Sequence, residues 1–215
     1  MGNDQHENSE KQRWNKYQEF FEMGQKALDE GEPEFAVLFF EQALSMTDGD
    51  AECLHFIGLA YHRAYRYDKA EEYYWKSVLQ APLLASGWSN LARLKFDLTL
   101  YNEAVMLYQR SLEIRPARPD VWRALGESYE ALGRIKDAKD CFQVSYEMDP
   151  EDRVSAYCLA CIYAKLGDVD SSVELLTGLI HDPFFLISAR QEDVFNETPC
   201  SDKFRDLLWA DKNVI

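Results

Sequence analysis

Between residues 119 and 152 the apolar positions recur at helical steps. Trp122, Leu125, Tyr129 and Leu132 lie three and four apart and therefore share one face of a helix. A second stripe, Ile135, Ala138, Phe142 and Tyr146, follows Gly133 and is stopped by Asp149-Pro150. Gly133 stands where a left-handed residue closes the first helix. Gly126 sits inside the first apolar face. Glycine there costs about 0.5–1 kcal/mol relative to alanine, so it predicts a neighbour too close for a side chain, and Ala138 is small for the same reason. A helix pair this short buries too little apolar surface to fold alone, which predicts copies on either side.

The copies are present. Stepping by 34 residues from Ala138 finds Ala36, Ala70, Ala104 and Ser172. The same step from Gly126 finds Gly24, Gly58, Ala92 and Ala160, and from Phe142 it finds Phe40, Tyr74, Tyr108 and Leu176. From Pro150 it reaches Asp48, Pro82, Pro116 and Phe184, with Pro183 one place early. Five repeats follow without insertion: 17–50, 51–84, 85–118, 119–152 and 153–186.

This period, with Trp122, Leu125, Gly126, Tyr129, Ala138, Phe142 and Pro150, resembles the tetratricopeptide repeat over most of the chain. The resemblance implies an all-α fold, a right-handed α-solenoid of helix-turn-helix repeats whose first helices line a concave face. The departures are Lys95, where the repeat usually has an aromatic residue, Asp48 in place of a proline, and a degenerate fifth repeat at Ser172 and Phe184.

Both ends fall outside the period. Residues 1–16 are polar and predict a frayed start that turns helical near Trp14. No stretch of the chain has the apolar length of a signal peptide or membrane anchor, and Gly2 is followed by His6 where myristoylation wants Ser or Thr. In residues 187–215, Phe204, Leu207 and Leu208 share a helical face, and Ser201 after Pro199 is placed to cap it. A repeat stack needs a terminal element over its last apolar surface, so this segment is predicted to be a capping helix.

Composition narrows the function. Among 215 residues, 23 Lys and Arg face 38 Asp and Glu, a net charge of −15. That opposes nucleic acid and anionic membrane and favours a basic protein partner. Cys53, Cys141, Cys158, Cys161 and Cys200 are odd in number and scattered, which points to a reducing, cytoplasmic compartment.

By the same resemblance, contact residues lie at positions 2, 5, 9, 12 and 13 of each repeat. The candidate peptide groove drawn from them is Phe21, Leu28, His55, Leu59, His62, Arg63, Arg93, Phe96, Arg123 and Glu127. Arg63, Arg93 and Arg123 step back one helical turn per repeat, forming a diagonal track suited to a carboxylate or acidic peptide. The alternative is internal pairing, since Asp97 and Glu127 stand four residues beyond Arg93 and Arg123. Phe21, Leu28, Leu59 and Phe96 predict an apolar part of the groove toward the N-terminal end, unless the polar N-terminal segment folds over it. Some proteins of this family grip a chaperone's terminal carboxylate through set Lys, Asn and Arg positions. This chain offers Phe21, Gln25, Phe56, Ser86 and Asn90 there, or His55, Leu59, Asn90, Asp120 and Ala124 one repeat on, and neither set is that clamp.

Cys158 and Cys161 form a C-x-x-C in mid-helix without further ligands, so they read as core residues rather than a redox or zinc site. His55 and His62 are seven apart, not the four that chelates a metal on a helix. No metal or other cofactor is expected. Trp75 occupies an outward, usually polar position and predicts a second contact surface or a homo-oligomeric seam, unless it simply lies along its helix. No phosphate loop, nucleophile elbow or metalloprotease motif is present, so no enzyme is expected. The reading is a scaffold or adaptor binding a peptide segment of a protein partner. The alternative is a cytosolic chaperone for a secreted or assembling client, resembling the tetratricopeptide chaperones of secretion systems.

Overall fold

The computed structural model describes residues 2–47, 49–197 and 201–209, and the side chains of 9–47, 49–195 and 202–209. Asp48, Pro199, Cys200 and the side chains of His6 and Ser201 lie outside them. Among the described residues all regular structure is helical. The order is α1 (Gly2–Asp29), α2 (Pro33–Leu44), α3 (Ala51–Arg63), α4 (Tyr67–Gln80), α5 (Ala85–Asp97), α6 (Tyr101–Ile114), α7 (Pro119–Ala131), α8 (Ile135–Met148), α9 (Arg153–Lys165), α10 (Val169–Leu179), α11 (Pro183–Gln191), α12 (Asp193–Glu197) and α13 (Ser201–Trp209). Two compact units divide the chain, Met1–Arg115 with α1 to α6 and Pro116–Ile215 with α7 to α13.

Helices α3, α5, α7 and α9 begin at residues 51, 85, 119 and 153, and α2, α4, α6, α8 and α10 at 33, 67, 101, 135 and 169. The 34-residue step therefore survives as geometry. Its small and aromatic columns are partners. A Cβ built on Gly24, Gly58 or Gly126 would lie 2.6, 2.7 or 2.8 Å from the ring of Phe40, Tyr74 or Phe142. The close neighbour anticipated at Gly126 is thus the aromatic ring of the second helix in the same pair. Ala36, Ala70, Ala104, Ala138 and Ser172 are all fully buried.

Within each pair the turn is made by a left-handed residue, and these too recur every 34: Gly31, Tyr65, Thr99, Gly133 and Gly167, with φ of 78°, 57°, 61°, 71° and 81°. The closing bonds repeat as well, Gly133 N–H to the Glu130 carbonyl at 2.8 Å and Arg134 N–H to the Tyr129 carbonyl at 2.9 Å. A serine column ties the helices of a pair at their other end. Ser77, Ser111 and Ser145 are fully buried and donate to the carbonyls of Ala51, Ala85 and Pro119 at 2.7, 2.8 and 2.7 Å.

Lys95 keeps the third repeat closed without its aromatic residue. It is 6% exposed, and its Nζ sits 2.7 Å from Glu71 of α4 and 3.0 Å from Glu103 of α6. Burial would lower the ammonium pKa, but the two carboxylates outweigh it and the pKa is raised.

Two boundaries differ from expectation. The chain is helical from Gly2, not from the region of Trp14, because residues 3–23 contain no glycine or proline and many good helix formers. Downstream, the Trp14 ring stacks on Tyr17 at 5.0 Å and the Tyr17 hydroxyl donates to Asp50, which also caps α3. Gly2–Asp29 is thus one uninterrupted helix. At the other end α11 crosses the expected boundary between residues 186 and 187, because Asp182 caps it and Pro183 supplies its first turn. The capping helix forms as expected: on α13, Phe204 and Leu208 are buried against Ala160, Val169, Leu176 and Phe195, with Leu207 partly buried.

Candidate functional site

In the N-terminal unit the first helices α1, α3 and α5 are joined by side chains 35 residues apart, one repeat plus one position. Arg63 Nη1 donates to the Leu28 carbonyl at 2.8 Å, Asn90 Nδ2 meets His55 Nε2 at 3.1 Å, and His62 Nε2 meets Asp97 Oδ2 at 2.9 Å. Asp97 takes a second partner, Arg93 Nε at 3.1 Å, on its own helix. The four-residue spacing brings that last pair into reach, although the helix dipole opposes an acid at the C-terminal end of α5.

Burial sets the histidine charge. His55 is 6% exposed, and desolvation lowers its pKa to about 4, so near neutral pH it is an uncharged acceptor for Asn90 with its Nδ1 unpartnered. His62 is also lowered by burial, against the pull of Asp97, and so donates as neutral imidazole. Both Nε2 atoms are committed to inter-repeat bonds.

The candidate residues separate into wall and core. Leu28, expected in the groove, is 4% exposed and packs in the core with Tyr17, Val37 and Ile57; α3 covers it, which corrects the expectation. His55 is likewise beneath the surface. Phe21, Leu59 and Phe96 remain partly exposed. Phe21 is wedged edge-on against Phe40 and Phe56 at 5.4 and 5.1 Å. Arg93 keeps 53% of its side chain exposed and lies 5.8 Å over the Phe96 ring, an arrangement with cation–π character.

In the C-terminal unit, Arg123 is paired as the sequence alternative anticipates: Nη1 donates to Glu127 at 2.8 Å, and Nε stands 3.5 Å from Asp152. Lys165 and Glu130, again 35 apart, join α9 to α7 at 2.6 Å. Cys158 and Cys161 are packed in, and burial pushes the Cys158 thiol up to about 12 and the Cys161 thiol higher still. Such thiols are weak nucleophiles and poor ligands at neutral pH.

Trp75 lies outward on α4 with 37% of its surface exposed. Its indole N–H donates to Glu71 at 3.3 Å, and its ring meets Trp88 edge-on at 6.1 Å. The sequence reading missed the inter-repeat ladder because it stepped by 34; a step of 35 pairs His55 with Asn90, His62 with Asp97 and Glu130 with Lys165.

Comparison with known proteins agrees with this geometry. Residues 83–151 and 51–79 each match a family model described as tetratricopeptide repeat. Over 92 residues the chain is 26% identical to Superkiller protein 3 of Schizosaccharomyces pombe, covering 43% of this chain and 7% of that protein. Over 145 residues it is 23% identical to the human cell division cycle protein 16 homolog, covering 63% and 23%. The chain thus spans less than a quarter of the length of these curated relatives. In fold it is similar to pilF of Pseudomonas aeruginosa, with a TM-score of 0.75 at 18% identity over 89% of this chain and 88% of that one. It is also similar to MamA from Desulfovibrio magneticus RS-1, with a TM-score of 0.68 at 19% identity over 77% and 94%.

Proposed function

Because the chain belongs to the tetratricopeptide-repeat proteins, a family of protein–protein interaction modules that are generally non-enzymatic, we propose that it is a scaffold holding a peptide segment of a protein partner against α1, α3 and α5. The observation that carries this reading is Arg93. Its guanidinium is half-exposed on the Phe96 ring, beside helices that Arg63, His55 with Asn90, and His62 with Asp97 already tie to one another. A wall fixed in this way loses little side-chain freedom when a peptide docks, and preorganisation of that kind favours binding.

The chemistry suits a segment carrying a carboxylate next to an apolar side chain. An incoming carboxylate can share Arg93 with Asp97 through the guanidinium nitrogens left open, while Phe96 takes the apolar neighbour. Arg63 spends one nitrogen on the Leu28 carbonyl and adds positive potential on the same row. Arg123, held by Glu127 and Asp152 in the other unit, has no part in this proposal. No helix among the described residues is long and apolar enough to cross a membrane. The free thiols of Cys53, Cys141, Cys158 and Cys161 fit a reducing, cytoplasmic setting.

The test is affinity capture from native lysate with the wild-type chain and with Arg93→Glu combined with Phe96→Ala, followed by titration of the captured partner's peptides. The double variant is expected to fold with unchanged helicity and lose the partner. Equal affinity for the wild type and the double variant would end the proposal.

A further inference from the structure

The outward surface of α4 is apolar in two columns that the other repeats keep polar. In the columns of Trp75 and Leu79 the remaining repeats carry Glu41, Gln109, Gln143 and Thr177, and Ser45, Glu113, Glu147 and His181, all polar. Only the second repeat places two large apolar side chains there, four residues apart on one face. Leu79 is 73% exposed and Trp75 37%; Leu83, in the turn after α4, is 78% exposed, and Met106 on α6 is 69% exposed. The two helices are tied on this side, since Trp75 rests on Trp88 and Arg110 of α6 lies 6.0 Å over the Trp88 ring. The Trp88 N–H is held by the Pro82 carbonyl at 2.9 Å. The aromatic groups are therefore fixed in place rather than free to fold inward. Large apolar side chains left exposed on an outward helical face mark a contact surface.

Charge identifies the occupant. The chain carries −15, yet around this patch the charges balance locally: Glu72 is paired with Lys69 and Lys76, Glu113 with Arg110, and Glu71 and Glu103 with Lys95. A basic partner gains nothing from such a surface, and an acidic or anionic one gains nothing either. A neutral apolar surface rimmed by both signs is its complement, and a second copy presents that surface. We propose that the chain self-associates through the outward face of α4, with Trp75 and Leu79 of each copy buried against the other in a two-fold contact.

The salt response separates this contact from one held by ion pairs. Repulsion between two chains of −15 is screened as salt rises, whereas apolar contact is not, so the dimer strengthens with salt. Sedimentation equilibrium over a concentration series tests the idea with wild type, Leu79→Glu and Phe35→Glu. Leu79 and Phe35 are both exposed, so neither substitution disturbs the core, and Phe35 supplies an apolar control on another helix. The expected result is a wild-type dimer that tightens with salt, weakens at least tenfold (about 1.4 kcal/mol) in Leu79→Glu, and is unchanged in Phe35→Glu. A wild type that stays monomeric at all concentrations and salt levels overturns the proposal. So does a dimer lost equally in both variants, or one indifferent to Leu79→Glu. The Arg93→Glu, Phe96→Ala chain dimerises normally if this contact is separate from the peptide wall, and loss of its dimer likewise overturns the assignment to α4.

Discussion

Tyr65 and Thr99 hold the left-handed turn that glycine holds at 31, 133 and 167. A side chain in that conformation costs about 1–2 kcal/mol, and a β-branched one sits at the upper end. Glycine recovers this and gives back about 0.5–1 kcal/mol of chain entropy. Thr99→Gly is thus expected to stabilise the protein by about 0.5–1 kcal/mol, and Gly133→Thr to destabilise it by at least as much, both read from denaturant midpoints. His55 gives a second expectation at this scale. Its folded pKa is lowered from 6.5 to about 4, so the unfolded chain binds the proton more tightly. Stability from this group is full above pH 6.5 and is lost as pH falls toward 4, by up to about 3 kcal/mol. His55→Asn, which keeps an acceptor for Asn90, is expected to flatten urea midpoints between pH 6.5 and 5 relative to wild type. An identical slope in both would remove His55 from the account.

Helix by helix, the repeat pattern was read correctly where it depends on near neighbours. The glycine and aromatic columns and the closing glycine at 133 are local or fall within one pair, and the structure realises each of them. Lys95 was legible as a departure but not as a solution, because its partners Glu71 and Glu103 come from the second helices of two repeats. That arrangement predicts an asymmetry. Lys95→Met removes a buried ammonium while both carboxylates can return to water, so its stability should stay within about 1 kcal/mol of wild type. Glu71→Ala combined with Glu103→Ala leaves the ammonium buried without partners and should cost about 3 kcal/mol. Thermal melts of the two variants check the order; a reversed order would mean that Lys95 reaches solvent by another route.

At the level of the whole molecule, each compact unit closes its own core, and the C-terminal one relies on α13. Phe204 is fully buried there and contacts Phe195 at 5.0 Å. Phe204→Ala is expected to lower the stability of this unit by about 3–5 kcal/mol, seen as earlier loss of protection in α10 and α13 by hydrogen exchange. Protection unchanged in α10 would show that the cap is dispensable.

By itself the amino-acid sequence determined the helical pairs, their period, the buried columns and the presence of a terminal cap, because each follows from residue spacing that any helix must obey. Only the tertiary structure decided which polar groups are available. Whether Arg63, Arg93 or Arg123 is open to a ligand depends on Leu28, Asp97, Glu127 and Asp152, and three of those four lie on a different helix or an adjoining turn or share a second partner there. Leu28 passed for a groove residue for the same reason: a helical face looks equally exposed along its length until the next repeat is laid over it.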